Sequence, residues 1–336
     1  MHGSRPTEPP HSGTRQRKIA WAGLAWVFCA LGSAVFTPLL GSQAPGPKEP
    51  TDLAGARRLV EDGQILAAER SLRGLLQAQP SAAEARYLLA YVLFREHRAA
   101  DSLAEYTAAA RLREPNAGDL TVIASDYILF KDYADAERWL LRATANAPED
   151  AMAWYLLGRT QYNEDHPSDA MASFQHCLRL RPHDSRAEYN LGLAYEKLQR
   201  PNDAIFAYKT AIDWQRQKGV QDPQPFLDLG ILLLAQRNAP EALEPLRKAV
   251  EAGPSNALAH QELGLAFEAL GRYAEAVAPL RRAAELAPAA EQPHFMLGRI
   301  YRRLGKSSEA AAEFAEVARL AGSHSNTETP NGEARP

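Results

Sequence analysis

The chain has 336 residues, a formal charge of −3 and only two cysteines, Cys29 and Cys177. Residues 1–44 hold Arg5, Arg15, Arg17 and Lys18 against Glu8; removing them from 38 cations and 41 acids leaves 34 and 40, a net −6. A general nucleic-acid binder needs the opposite sign, so no nucleic-acid partner is expected. Two cysteines so placed cannot form a disulfide framework, and they leave the redox compartment open.

Residues 1–18 are polar and end in the basic Arg15, Arg17 and Lys18. From Ile19 to Phe36 no charge occurs. Basic residues followed by an apolar run have the order of an export signal or signal anchor, so 19–40 is expected to be a cleaved signal peptide or a transmembrane anchor. Ser42-Gln43-Ala44 offers small residues for cleavage, and both forms stay open. The basic flank should remain cytoplasmic, which places the rest of the chain across the membrane. Residues 41–50 read as a Pro-rich linker.

Beyond the linker one interval governs the chain. Gly158 and Gly192 are 34 apart, as are Gly230, Gly264 and Gly298. Ala136, Ala170 and Ala204 keep that step, and so do Ala242, Ala276 and Ala310. Pro148 and Pro182 repeat it, as do Pro254 and Pro288. From Ala204 to Ala242 the step is 38, an insertion of four residues. A period near 34 indicates helix–turn–helix units stacked into a solenoid.

Within 151–184, Trp154, Leu157, Gly158 and Gln161 share one face of a first helix at three- and four-residue spacing. Asn163–Ser168 is a turn, and Pro167 and Ser168 suit the opening of a second helix. Ala170, Phe174 and Cys177 line that helix and Pro182 ends it. Gly158 and Ala170 are small because the two helices approach closely there.

This pattern resembles the tetratricopeptide repeat (TPR) family. A large residue, Leu-Gly, an aromatic, Ala, an aromatic, Ala and a closing Pro recur in order. Eight repeats are expected, at 49–82, 83–116, 117–150, 151–184, 185–218, 223–256, 257–290 and 291–324. The first lacks a convincing Leu-Gly, and the second has Ser102 where alanine is usual and Pro115 one residue late. Arg216 replaces the closing proline of 185–218, next to the insertion, which predicts a longer loop near Gly219–Pro223 or an extended helix. Gly322 is expected to end the last helix, and 325–336 reads as a disordered tail. Ala311, Ala312, Ala315 and Ala318 would keep the open end only mildly apolar. The resemblance implies an all-α, right-handed superhelical solenoid.

Chemistry is scarce. No phosphate loop, nucleophile elbow or paired-carboxylate signature is present, and the Leu-Gly pairs are packing devices. His176, Cys177 and His183 form the closest approach to a metal cluster, but their repeat positions assign them to packing. Asp165-His166 occupies a turn where polar residues belong. No enzyme, cofactor or metal is expected.

In TPR proteins the first-helix residues that packing does not claim face a concave groove. The resemblance puts Tyr155, Arg159 and Tyr162 there, then Arg186, Tyr189 and Asn190. Leu227, Asp228 and Ile231 follow, then Gln261, Glu262 and Leu265, then Phe295, Arg299, Arg302 and Arg303. Aromatic residues and arginine are the types that dominate interface hot spots. The expected role is a non-catalytic adaptor or scaffold for a protein or peptide partner, membrane-tethered or exported. The rival expectations are an assembly factor of an envelope or secretion complex, using the convex face or uncapped end, and an accessory subunit of an enzyme.

Overall fold

A computed structural model describes residues 52–325. The expected membrane segment at 19–40, the regions flanking it and residues 326–336 of the tail lie outside the described residues. Sixteen helices and no strand occur among the described residues. None of these helices is long and apolar enough to cross a membrane. The chain falls into two compact units that divide between Asp169 and Ala170.

The first unit contains α1 (Leu53–Glu61), α2 (Ile65–Ala78), α3 (Ala83–Arg95), α4 (Ala99–Ala110), α5 (Ala117–Leu129), α6 (Tyr133–Asn146) and α7 (Ala151–Asn163). The division falls near the start of α8 (Pro167–Leu180). The second unit continues with α9 (Ser185–Lys197), α10 (Pro201–Gln217), α11 (Pro223–Ala235), α12 (Ala239–Ala252), α13 (Ala257–Ala269), α14 (Tyr273–Leu286), α15 (Glu291–Arg303) and α16 (Ser307–Ser325).

Within each unit consecutive helices pair as hairpins, and each hairpin packs on the next. The eighth residue of each repeat is where the two helices cross. Gly192, Gly230, Gly264 and Gly298 occupy it in the second unit, facing Tyr208, Leu246, Leu280 and Phe314. In the first unit Ala56, Ala90 and Ala124 take the place, all with no exposed surface. Ser102, the anomalous residue of the second repeat, is buried and donates its hydroxyl to the Ala90 carbonyl at 3.0 Å. The hydroxyl is satisfied across the hairpin, which removes the penalty for burying it.

Two local devices repeat with the period. Asn116, Asp150, Asp184, Asp222 and Asn256 cap the first helices by accepting backbone N–H groups of the first turn. The hairpin turn is a left-handed closure at Gly63, His97, Lys131, Asp165, Gln199, Arg237, Gly271 and Gly305, with φ between 56° and 72°. The N–H after each one reaches back five residues further along the helix end, as in Arg272 N to Phe267 O at 2.9 Å and His166 N to Gln161 O at 2.9 Å. This is the Schellman closure, which satisfies the last carbonyls of the first helix.

The insertion is divided between helix and loop. α10 has 17 residues where α8, α12 and α14 each have 14. The connection to α11, Lys218–Asp222, is one residue longer than Gly253–Asn256, which joins α12 to α13. Arg216 lets α10 continue where proline would have stopped it, and Gly219 at φ 67° turns the chain out. Gly322 does not end the last helix, because α16 runs to Ser325. A glycine weakens a helix without breaking it, and no proline follows closely to force a stop. Ala311, Ala312, Ala315 and Ala318 are exposed on α16.

Candidate partner-binding face

The second, fifth, ninth and twelfth residues of a first helix lie three to four apart and form one stripe. In the second unit that stripe passes through α9, α11, α13 and α15. Its middle is apolar, with Ile231 and Leu234 on α11 and Leu258 and Leu265 on α13 all half-buried. Packing explains their apolar neighbours Leu229, Leu233 and Leu263, which are buried, and leaves these four partly open.

On α15 the stripe turns cationic. Phe295 is 42% exposed, and Arg299, Arg302 and Arg303 are exposed. The Phe295 ring stands edge-on to Phe314 with centroids 6.0 Å apart, so its position is set by the core beneath it. Arg299 lies over the Phe295 ring at 5.8 Å and pairs with Glu268 of α13 at 2.5 Å. Its charge is therefore already answered. Arg302 lies over the Phe314 ring at 5.6 Å. Neither Arg302 nor Arg303 makes an ion pair among the described residues. These two carry the open positive charge of the face.

At the α9 end Tyr189 is half-buried and donates its hydroxyl to the buried Asp228 carboxylate at 2.7 Å. Gln224 donates to the same oxygen at 3.0 Å. Asp228 thus clamps α9 to α11 and is not offered to solvent. Asn190 is buried and donates to the Arg186 carbonyl of its own helix at 2.7 Å. Arg186 is half-buried, with its guanidinium 3.7 Å from Asp184. Gln261 is half-buried and hydrogen-bonds Glu262 at 3.3 Å.

In the first unit, Tyr155 of α7 is half-buried, with the Arg159 guanidinium 5.6 Å from its ring centroid. Arg159 and Tyr162 are 2% and 3% exposed, so neither offers a surface to a partner in this state. Helical spacing assigns a residue to a stripe, but depth within the stripe depends on the neighbouring repeat. The sequence-based set thus separates into buried members, Arg159, Tyr162, Asn190, Leu227 and Asp228, surface members, Phe295, Arg299, Arg302 and Arg303, and a half-buried remainder. The half-buried Leu234 and Leu258 were missed; their signal was the recurrence of aliphatic residues at stripe positions in consecutive repeats.

His176, Cys177 and His183, assigned to packing from their repeat positions, are not among the converging ligand groups of the described residues. Cys177 is fully buried, and the His183 ring packs edge-on against Trp214 at 5.1 Å.

A Tetratricopeptide repeat profile matches residues 53–117, 124–175 and 227–291, and a second of the same description matches 185–218 and 292–324. The chain belongs to the tetratricopeptide repeat family. It is 34% identical over 70 residues to the PEX5-related protein of Mus musculus, a stretch that is 21% of this chain and 12% of that protein. The chain therefore spans about an eighth of that relative's length. Among solved structures it is similar to the APC/C hetero-tetramer Cut9–Hcn1, with TM-score 0.51 and 15% identity over 80% of this chain and 52% of the other. That likeness supports the all-helical repeat fold. YrrB, described as a TPR protein with an unusual peptide-binding site, gives 0.49 at 19% identity, covering 55% of this chain and 93% of its own. MamA of Desulfovibrio magneticus RS-1 gives 0.48 at 22% identity, covering 52% and 96%.

Proposed function

We propose that this TPR chain is a non-catalytic scaffold that holds a protein segment along the first-helix face of its second unit. The observation that carries the reading is the half-open apolar stripe Ile231, Leu234, Leu258 and Leu265, which continues to the exposed Phe295 and to two cations, Arg302 and Arg303, without ion-pair partners among the described residues. Apolar side chains left partly in water beside a rigidly seated aromatic residue and arginines are the composition of a binding surface. The partner segment is apolar with acidic residues at the end that meets α15, because guanidinium groups pair with carboxylates bidentately. Residues 15–36 support a membrane tether or export signal, with the repeats on the non-cytoplasmic side.

Capture from solubilised membranes, with the full chain as bait, tests the reading. Arg302→Glu with Arg303→Glu should abolish capture of the partners while the helical circular dichroism stays unchanged. If the same partners co-purify in the same amounts, this face is not the binding site. Protease added outside sealed cells stripped of their wall should digest the repeats; digestion only after lysis would place them in the cytoplasm.

A further inference from the structure

Glu137 of α6, Glu164 at the end of α7 and His166 in the turn that follows bring their ligand atoms within 4.8 Å of one another. The left-handed Asp165, φ 66°, reverses the chain so that Glu164 and His166 flank one turn. Gln161 of α7 donates to Glu137 Oε1 at 3.0 Å and holds that carboxylate in orientation. Two carboxyl groups in contact call for a cation.

The chain contains the answered version of this arrangement. Two repeat lengths earlier, Glu69, Glu96 and Arg98 occupy the corresponding positions. There the Arg98 guanidinium lies 2.9 Å from Glu69 and 3.1 Å from Glu96, bridging both carboxylates. Burial of Glu69 is outweighed by its hydrogen bonds from Arg73 and Arg98, which hold it below the ordinary carboxylate range. In the later copy the built-in cation is replaced by an imidazole, which ligates metals through a neutral ring nitrogen.

We propose that Glu137, Glu164 and His166 bind a divalent transition-metal ion of zinc type, which takes the place of the guanidinium in the earlier copy. Two oxygens and one imidazole nitrogen suit borderline ions; calcium prefers oxygen ligands alone. Solvent completes the coordination, since His166 is exposed.

The test is calorimetric titration of the chelator-stripped full chain with Zn²⁺, with Co²⁺ absorption as a second readout. One equivalent should bind and raise the melting temperature. His166→Ala and Glu137→Gln should each weaken that equivalent at least tenfold; circular dichroism confirms folding, and His166→Ala alters only an exposed turn residue. His166→Arg should bind no zinc at this site and, without metal, melt above the wild type, as the earlier copy's chemistry requires. The proposal is overturned if these variants leave zinc stoichiometry and affinity unchanged, if Ca²⁺ binds as tightly as Zn²⁺, or if His166→Arg melts no higher than the stripped wild type.

Discussion

Gly264 offers the sharpest test of how the hairpins are built. A Cβ at this position would stand 2.6 Å from Leu280 Cδ2 and 3.3 Å from Cδ1, and closer still to Cγ. Leu280 has no exposed surface, so its side chain has no open space to turn into. The chain supplies a calibration. In α5 and α6 the corresponding pair is Ala124 and Leu140, both fully buried, so a methyl group fits when the hairpin is spaced for it. Gly264→Ala must therefore push α13 and α14 apart, at an overpacking cost of about 1–3 kcal/mol. The gain in helix propensity returns about 1 kcal/mol, leaving a modest net loss. Gly264→Leu adds three more carbons to the same crossing and should lose about 3 kcal/mol. Gly74 of α2 is the control, because a Cβ there meets nothing within 4 Å and the residue is exposed. Gly74→Ala should stabilise by about 1 kcal/mol from propensity alone. Urea unfolding followed at the helical circular-dichroism band ranks the three variants, and hydrogen exchange should place the Gly264→Leu loss in α13 and α14. An unchanged urea midpoint for Gly264→Leu would refute the close-crossing argument.

Asp126 is fully buried in α5, and burial pushes its carboxyl up to about 7 against the smaller opposing effect of the nearby Ser102 hydroxyl. The folded state then holds a proton that the unfolded state has released, and stability falls as pH rises from about 4 to about 7. Asp126→Asn should remove part of that fall, matching the wild type near pH 4 and exceeding it at pH 8 by at most about 4 kcal/mol, three pH units at 1.36 each; parallel melting curves for the two proteins would contradict this. Gly271 sits at φ 71° with open space around a would-be Cβ, so Gly271→Ala isolates backbone strain. It should cost about 1 kcal/mol in thermal unfolding, and a gain in stability would show that the turn relaxes to another conformation.

The period was legible because close packing leaves small residues wherever helices cross, and Gly192, Gly230, Gly264 and Gly298 recur for that reason. The first hairpin looked weak because Gly55-Ala56 stands in place of Leu-Gly, although Ala56 is as fully buried as its counterparts. Turn geometry was hidden, because five of the eight left-handed closures carry His, Lys, Asp, Gln or Arg in place of glycine. At those positions the Schellman hydrogen bonds, and the burial of the helices they join, hold a conformation the residue does not favour locally. The candidate face was legible as a stripe and illegible in depth. Arg159 and Arg302 occupy stripe positions on their helices, yet one is buried and the other exposed. The Glu137–Glu164–His166 cluster escaped notice because its ligands come from two repeats, and metal-site patterns on a single helix do not cover that separation.

The residue that opens each second helix shows why chemistry can enter such a fold at so little cost. Arg98, Arg200 and Arg272 stand at that place and pair with Asp101, Asp203 and Glu275 three residues on, at 2.7, 2.8 and 2.5 Å. These pairs are largely exposed, and an exposed ion pair contributes about 0–1 kcal/mol. Changing the cation therefore leaves the hairpin standing, since the helix crossing and the turn closure carry its stability. At His166, as at Arg98 with Glu69 and Glu96, the residue stands between two carboxylates, here Glu137 and Glu164, so its exchange for imidazole has a consequence that Arg200 and Arg272 do not share. Repeat architecture thus separates the positions that specify the fold from those free to vary. The same separation applies to the face of α11, α13 and α15, where packing holds Leu229, Gly230, Leu263 and Gly264 and leaves Ile231 and Leu265 half-buried and Arg302 exposed.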